Sequence, residues 1–273
     1  MKGAVRKMRV KLEMDNGVEY QLPLIDNNSG KTELISMNPL IGKRIEMTFE
    51  GVIFCKSCGN TTKKSFMGGF CYKCFTNAPE AAPCIIRPEL CQAHEGKGRD
   101  VEWEENNHNQ PHFVYLAATD VIKVGVTRAT QIPTRWIDQG ASSAIRLAET
   151  PNRYLAGMIE VALKDLFTDK TNWRKMLKNE IDTDLDLEAT KWELEEQLPE
   201  DISQYFSEDD EIIAIDYPVT QYPEKVKSIG FDKQPQINGT LVGIKGQYLL
   251  LDDNRVINMR KHTGYEIDFA LKY

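Results

Sequence analysis

HFVYLAATDVIKVGVTR, residues 112–128, is the stretch on which the fold turns. Phe113, Val114, Tyr115 and Leu116 form one apolar run, Thr119 and Asp120 interrupt it, and a second run over 121–126 follows, carrying Lys123 and Gly125. Two short β-forming runs about a polar pair predict an antiparallel hairpin. Downstream, residues 132–148 have Pro133 in the first turn and Ile137, Ala141 and Ala144 at helical spacing, which predicts a helix. Residues 154–167 set Leu155, Met158, Ile159, Ala162, Leu163 and Leu166 on one face, predicting another.

On either side the pattern is β. Residues 10–24 alternate across Asp15-Asn16-Gly17, a hairpin signal, and Ile45, Met47 and Phe49 alternate before Gly51. After Ile212, strands are expected over 239–242, 247–251, 256–259 and 265–271. The expected class is α+β: an N-terminal β unit (1–54), a zinc-binding, zinc-ribbon-like segment (55–111), a small antiparallel sheet with helices (112–178), an acidic, weakly packed helical segment (179–212) and a C-terminal β unit (213–273). The two terminal β segments are candidates to complete one barrel.

The chain has 273 residues, 41% hydrophobic and 27% charged, a balance that excludes general disorder. No apolar run approaches the roughly 20 residues needed to cross a bilayer, so no membrane is expected as a partner. The first twelve residues lack the apolar core of a signal peptide, and a cytoplasmic location is expected. The net charge of -7 is segregated: residues 180–211 hold fourteen acids, Asp184 among them, and one base, Lys191. Residues 55–74 hold four bases and no acid, and 115–178 hold ten bases against six acids. These basic stretches fit nucleic acid, and the acidic one fits a protein partner, a mimic of nucleic acid or a cover for the basic face. Solvated surface accounts for either.

Four of the six cysteines stand as Cys55-x-x-Cys58 and Cys71-x-x-Cys74, twelve residues apart. Two such knuckles bring four thiolates onto one structural Zn²⁺ at about 2.3 Å, with Gly59 free to turn its backbone toward the sulfurs. Cys84, Cys91 and His94, with His108 as fourth ligand, are expected to form a second zinc site; buried thiols and a surface histidine are the other reading.

Val114-Tyr115-Leu116, then Lys123-Val124-Gly125-Val126-Thr127, Arg135 and Glu160 resemble the motifs of the GIY-YIG nuclease superfamily over residues 112–178. Tyr115 matches the first-motif tyrosine, Gly125 and Thr127 the Gly-x-Thr of the second, and Arg135 the catalytic arginine. Glu160 matches the metal-binding glutamate and Asn172 the asparagine that often closes the domain. Lys123 departs from the pattern, standing where a tyrosine is usual. With the cysteine segment, residues 134–141 and the string Asp169-Lys170-Thr171-Asn172-Trp173, nearly the whole chain also resembles an uncharacterised bacterial family known only as a domain of unknown function.

The first resemblance implies an endonuclease that hydrolyses phosphodiesters with Mg²⁺ or Mn²⁺ on Glu160. Tyr115 would orient or deprotonate the water, its pKa lowered by Lys123 or the metal, and Arg135 would pair with a phosphate oxygen. Lys123, Arg128 and Arg153 would hold the strand, beside Gly125, Thr127 and Asn172. The alternatives are a catalytically inactive nucleic-acid or ribonucleoprotein-binding module, and an adaptor using the acidic segment. Glu160 shares a helical stripe with Ala156, Leu163 and Phe167, so it needs a partner: a metal, or Arg135 in a structural ion pair.

Overall fold

The computed structural model describes residues 1–167, 172–182 and 185–272. Asp169, Lys170, Thr171 and Asp184 lie outside them. Strands β1 (Lys2–Val5), β2 (Arg9–Leu12), β3 (Val18–Ile25), β4 (Thr32–Ser36), β5 (Arg44–Phe54) and β6 (Thr61–Thr62) come first, then helix α1 (Tyr72–Asn77). Helix α2 (Val101–His108) leads into strands β7 (His112–Ala118) and β8 (Ile122–Arg128), helix α3 (Thr134–Gln139), strand β9 (Ser143–Thr150) and helix α4 (Arg153–Ala162). Helices α5 (Trp173–Leu177), α6 (Leu187–Glu195) and α7 (Glu200–Ser203) precede strand β10 (Ile213–Ala214). Strands β11 (Lys227–Ile229), β12 (Gln236–Lys245), β13 (Tyr248–Leu251), β14 (Arg255–Asn258) and β15 (Tyr265–Lys272) follow. The class is mixed α+β.

The chain divides into two compact units, Met1–Thr76 with Asp216–Tyr273, and Asn77–Ile215. In the first, the two terminal β segments build one sheet, in which β11-β14-β13-β12-β5-β15-β1-β3-β2 are successive neighbours. Strand β5 joins them, pairing antiparallel with β12 on one side and β15 on the other. Period-two alternation gives that sheet its buried face: Ile45, Met47, Ile237, Leu241, Ile267 and Phe269 are all fully buried. Each large apolar side chain so placed contributes about 1.5–3 kcal/mol. The 10–24 hairpin forms as β2 and β3, with Asn16 at φ 66 in the turn.

The second unit is a four-stranded sheet in the order β10-β9-β7-β8. Its core joins Val114 and Leu116 of β7, Ile145 and Leu147 of β9, and Ala156 and Ile159 of α4. Two expectations fail here. The helix over 132–148 stops at Gly140, whose φ of 76 is the left-handed conformation that closes helices, and residues 143–150 instead pair with β7. The acidic segment is not weakly packed: Leu187, Leu194, Leu198 and Ile202 enter the same core. Lys191 is fully buried, its amine donating to the Asp209 carbonyl and to Asp210 Oδ1, both at 2.7 Å. A cation so placed anchors the segment only because those acceptors replace its water.

Candidate functional site

The register of β7 and β8 sets Tyr115 opposite Gly125, Ala117 opposite Lys123 and Phe113 opposite Thr127, so Tyr115, Lys123, Gly125 and Thr127 share one face of the hairpin. Gly125 is there for space: a Cβ on it would lie 2.5 Å from Tyr115 Oη. Helix α3 covers that face. Trp136 meets the phenol edge-on, with centroids 5.9 Å apart, and Gln139 Oε1 accepts from the Tyr115 hydroxyl at 2.8 Å. The charges of Arg135 and Glu160 both act on the same hydroxyl, Arg135 lowering its pKa and Glu160 raising it.

Glu160, half-buried on α4, lines a cavity of about 400 Å³ with Lys123, Arg87, Lys164 and Glu89. The nearby Arg153 guanidinium feels both Glu160 and Arg135. Arg135 and Glu160 are thus both near enough to act electrostatically on Tyr115, and Glu160 and Lys123 line the cavity while Tyr115 does not. Tyr115 itself is fully buried. Burial raises its pKa, Arg135 pulls it down, Glu160 pushes it up, and the net direction is upward. Of the two roles expected of it, orienting the water needs no lowered pKa, while acting as a base would need a metal to overcome this burial.

The other residues expected to meet substrate have structural contacts. Arg128 donates to Asn107 Oδ1 on α2, and burial lowers its pKa. Thr127 is buried. Asn172 caps α5, its side chain accepting from Arg174 N at 3.2 Å while its own N–H donates to Asp120 Oδ2 at 3.3 Å. Arg153, expected to hold a strand, is buried and donates to the carbonyls of Cys84 and Ile85, both at 2.9 Å.

In the first unit the ligand atoms of Cys55, Cys58, Cys71 and Cys74 lie within 4.8 Å of one another. Cys58 Sγ and Cys71 Sγ are 3.9 Å apart, close to the edge of about 3.8 Å of a tetrahedron with 2.3 Å zinc–sulfur bonds. Burial opposes ionisation of Cys55, but the backbone N–H groups of Cys58, Cys71 and Ser57 turn toward its sulfur and lower its pKa to about 6. Gly59, at φ 74, makes the knuckle turn possible. This cluster is compatible with a structural zinc site. It leaves no position for a substrate water.

The remaining soft ligands converge in the second unit, with one substitution. Cys84, Cys91 and His108 come together with Glu104, their ligand atoms within 4.8 Å of one another and all four residues buried. His94 is elsewhere, stacked on Tyr154 with centroids 4.5 Å apart. Helix α2 explains the exchange: Glu104 and His108, four residues apart, project from one face. That spacing was readable in the sequence. Gln139, the hydrogen-bond partner of Tyr115, carries no motif of its own in the sequence.

A family model described as Protein of unknown function (DUF2797) matches residues 42–267. No curated protein and no solved structure matches the chain. Among the described residues no helix is long and apolar enough to cross a membrane.

Proposed function

The chain belongs to the DUF2797 family, and from its own residues we propose that the unit spanning Asn77–Ile215 is a divalent-metal-dependent nuclease, hydrolysing phosphodiesters of nucleic acid at Glu160. The observation that carries this reading is a cavity lined by the Glu160 carboxylate together with Lys123 and Lys164; the electrostatic reach of Arg135 and Glu160 to Tyr115 supports it. The GIY-YIG resemblance of residues 112–178 is part of the same proposal. The residues fit a hard cation: Mg²⁺ needs only one or two carboxylates, with water and substrate phosphate completing its shell. Such an ion supplies charge for the scissile phosphate and a more acidic bound water.

The chain's own groups do the rest. Glu160 holds the ion at the cavity wall. Lys123 and Lys164 raise the local concentration of a polyanion there, Arg87 being paired with Glu89 at 2.9 Å, and Arg135 offers a planar fork to a phosphate oxygen. Tyr115 is a positioning residue: its hydroxyl donates to Gln139, and its burial raises its pKa.

A second reading is favoured by one observation, the complete burial of Tyr115: the same surface binds nucleic acid without cleaving it. Incubation of the full chain with Mg²⁺ or Mn²⁺ and labelled branched, single-stranded and duplex DNA and RNA separates the two. Cleavage lost in Glu160→Ala supports the nuclease. Salt-sensitive binding without cleavage, unchanged by Glu160→Ala, supports the module, and no binding at low salt removes both.

A further inference from the structure

We propose that Cys84, Cys91, Glu104 and His108 form a second zinc centre, closed and structural, independent of any nuclease activity. Two sulfurs, an imidazole nitrogen and a carboxylate oxygen are a borderline-soft set of the kind zinc takes four at a time. Cys84 Sγ and His108 Nδ1 are 3.9 Å apart, near the edge of about 3.6 Å expected for a zinc tetrahedron with these donors. Each of the four residues is less than a tenth exposed, so no open position remains for substrate.

Three features of the surroundings belong to a metal centre rather than to a chance meeting of buried polar groups. Gly98 leaves the room the carboxylate occupies: a Cβ there would sit 2.4 Å from Glu104 Cγ. Arg153 is only 9% exposed and donates to the carbonyls of Cys84 and Ile85, both at 2.9 Å, holding the loop that carries the Cys84 ligand as outer partners of metal sites do. Finally, the segment has little else to hold it. Its apolar core amounts to Ala82, Cys84, Cys91 and Ala93 with Ile85 and Tyr154 against them, so a metal supplies the missing staple. That staple also fixes the Arg87–Glu89 wall of the Glu160 cavity. Gly157 of α4 packs so closely on it that a Cβ would lie 2.3 Å from Glu89 N.

The test is the zinc content of the full chain, purified after expression with zinc and dialysed against metal-free buffer. Two zinc ions per chain are expected, falling to one in Cys91→Ser and in His108→Ala and staying at two in His94→Ala. Where a variant does not fold, cobalt titration of the unaltered chain decides. Six thiolates rather than four give about 1.5-fold the sulfur-to-cobalt absorption of the Cys55–Cys74 cluster alone. One zinc per chain in the unaltered protein, or two surviving both ligand variants, overturns the proposal.

Discussion

Replacing Gly125 with alanine tests the site's construction most sharply, because it adds one methyl group and no charge. The new Cβ would lie 2.5 Å from Tyr115 Oη and 2.6 Å from Cζ. The phenol cannot retreat: it is fully buried, Trp136 stands against its ring, and its hydroxyl is committed to Gln139 at 2.8 Å. Overpacking of this kind costs about 1–3 kcal/mol. Displacing the hydroxyl adds about 1 kcal/mol for a buried hydrogen bond. The predicted loss is about 2–4 kcal/mol in the second unit. Hydrogen exchange of the β7 and β8 amides reads that unit directly. In a Tyr115→Leu background the same change is expected to cost under about 1 kcal/mol, since the two residues interact. A loss below about 0.5 kcal/mol in the unaltered background, or full additivity with Tyr115→Leu, refutes the packing argument.

Lys191→Met leaves Asp210 and the Asp209 carbonyl without their cation, and denaturant unfolding is expected to show a loss of about 2–3 kcal/mol, moderated by the partial exposure of Asp210. Cys58→Ser, or chelation of the unaltered chain, frees residues 55–74 from their staple, and limited proteolysis is expected to cut there first. His112 is buried, with Nε2 unpartnered among the described residues; burial lowers its pKa to about 3. Because the folded state keeps it neutral, the unfolded chain takes up the proton first as pH falls below about 6.5. Stability is thus complete above that value and declines toward pH 3 by about 1.4 kcal/mol per unit. His112→Phe is expected to flatten unfolding free energy between pH 6 and 4 by that slope; an unchanged slope counts against the assignment.

Local signals in the sequence matched what forms locally. The 112–128 hairpin, the helix over Arg153–Ala162 (shorter than the expected 154–167, a 3-10 turn replacing its end at Lys164–Leu166), the 10–24 hairpin and the Cys55–Cys74 knuckles are each set by neighbours within a few residues. What escaped is long-range. Residues 143–150 carry Ala144, Ile145, Leu147 and Ala148 at spacings a helix would also use, and pairing with β7 decides for strand. The acidic segment was judged by charge, while its few apolar residues and Lys191 decide where it lies. At the second cysteine cluster, cysteine and histidine spacing named His94, but the missing side chain of Gly98 lets Glu104 in, a fact of space that no motif carries. The electrostatic reach of Arg135 and Glu160 to Tyr115 is legible in the sequence only as order along the chain. That Tyr115 would be sealed beneath α3 was not.

The proposed nuclease requires the Glu160 carboxylate to hold a divalent cation where phosphate can reach it. Crystals of the full chain soaked in Mn²⁺ and diffracted at the manganese edge test this most directly. The account predicts an anomalous peak about 2.2 Å from a Glu160 carboxylate oxygen, its other ligands water, and absent in Glu160→Gln. Manganese found elsewhere, with the Glu160 carboxylate closed in an ion pair with Arg135 or Arg153, would contradict it.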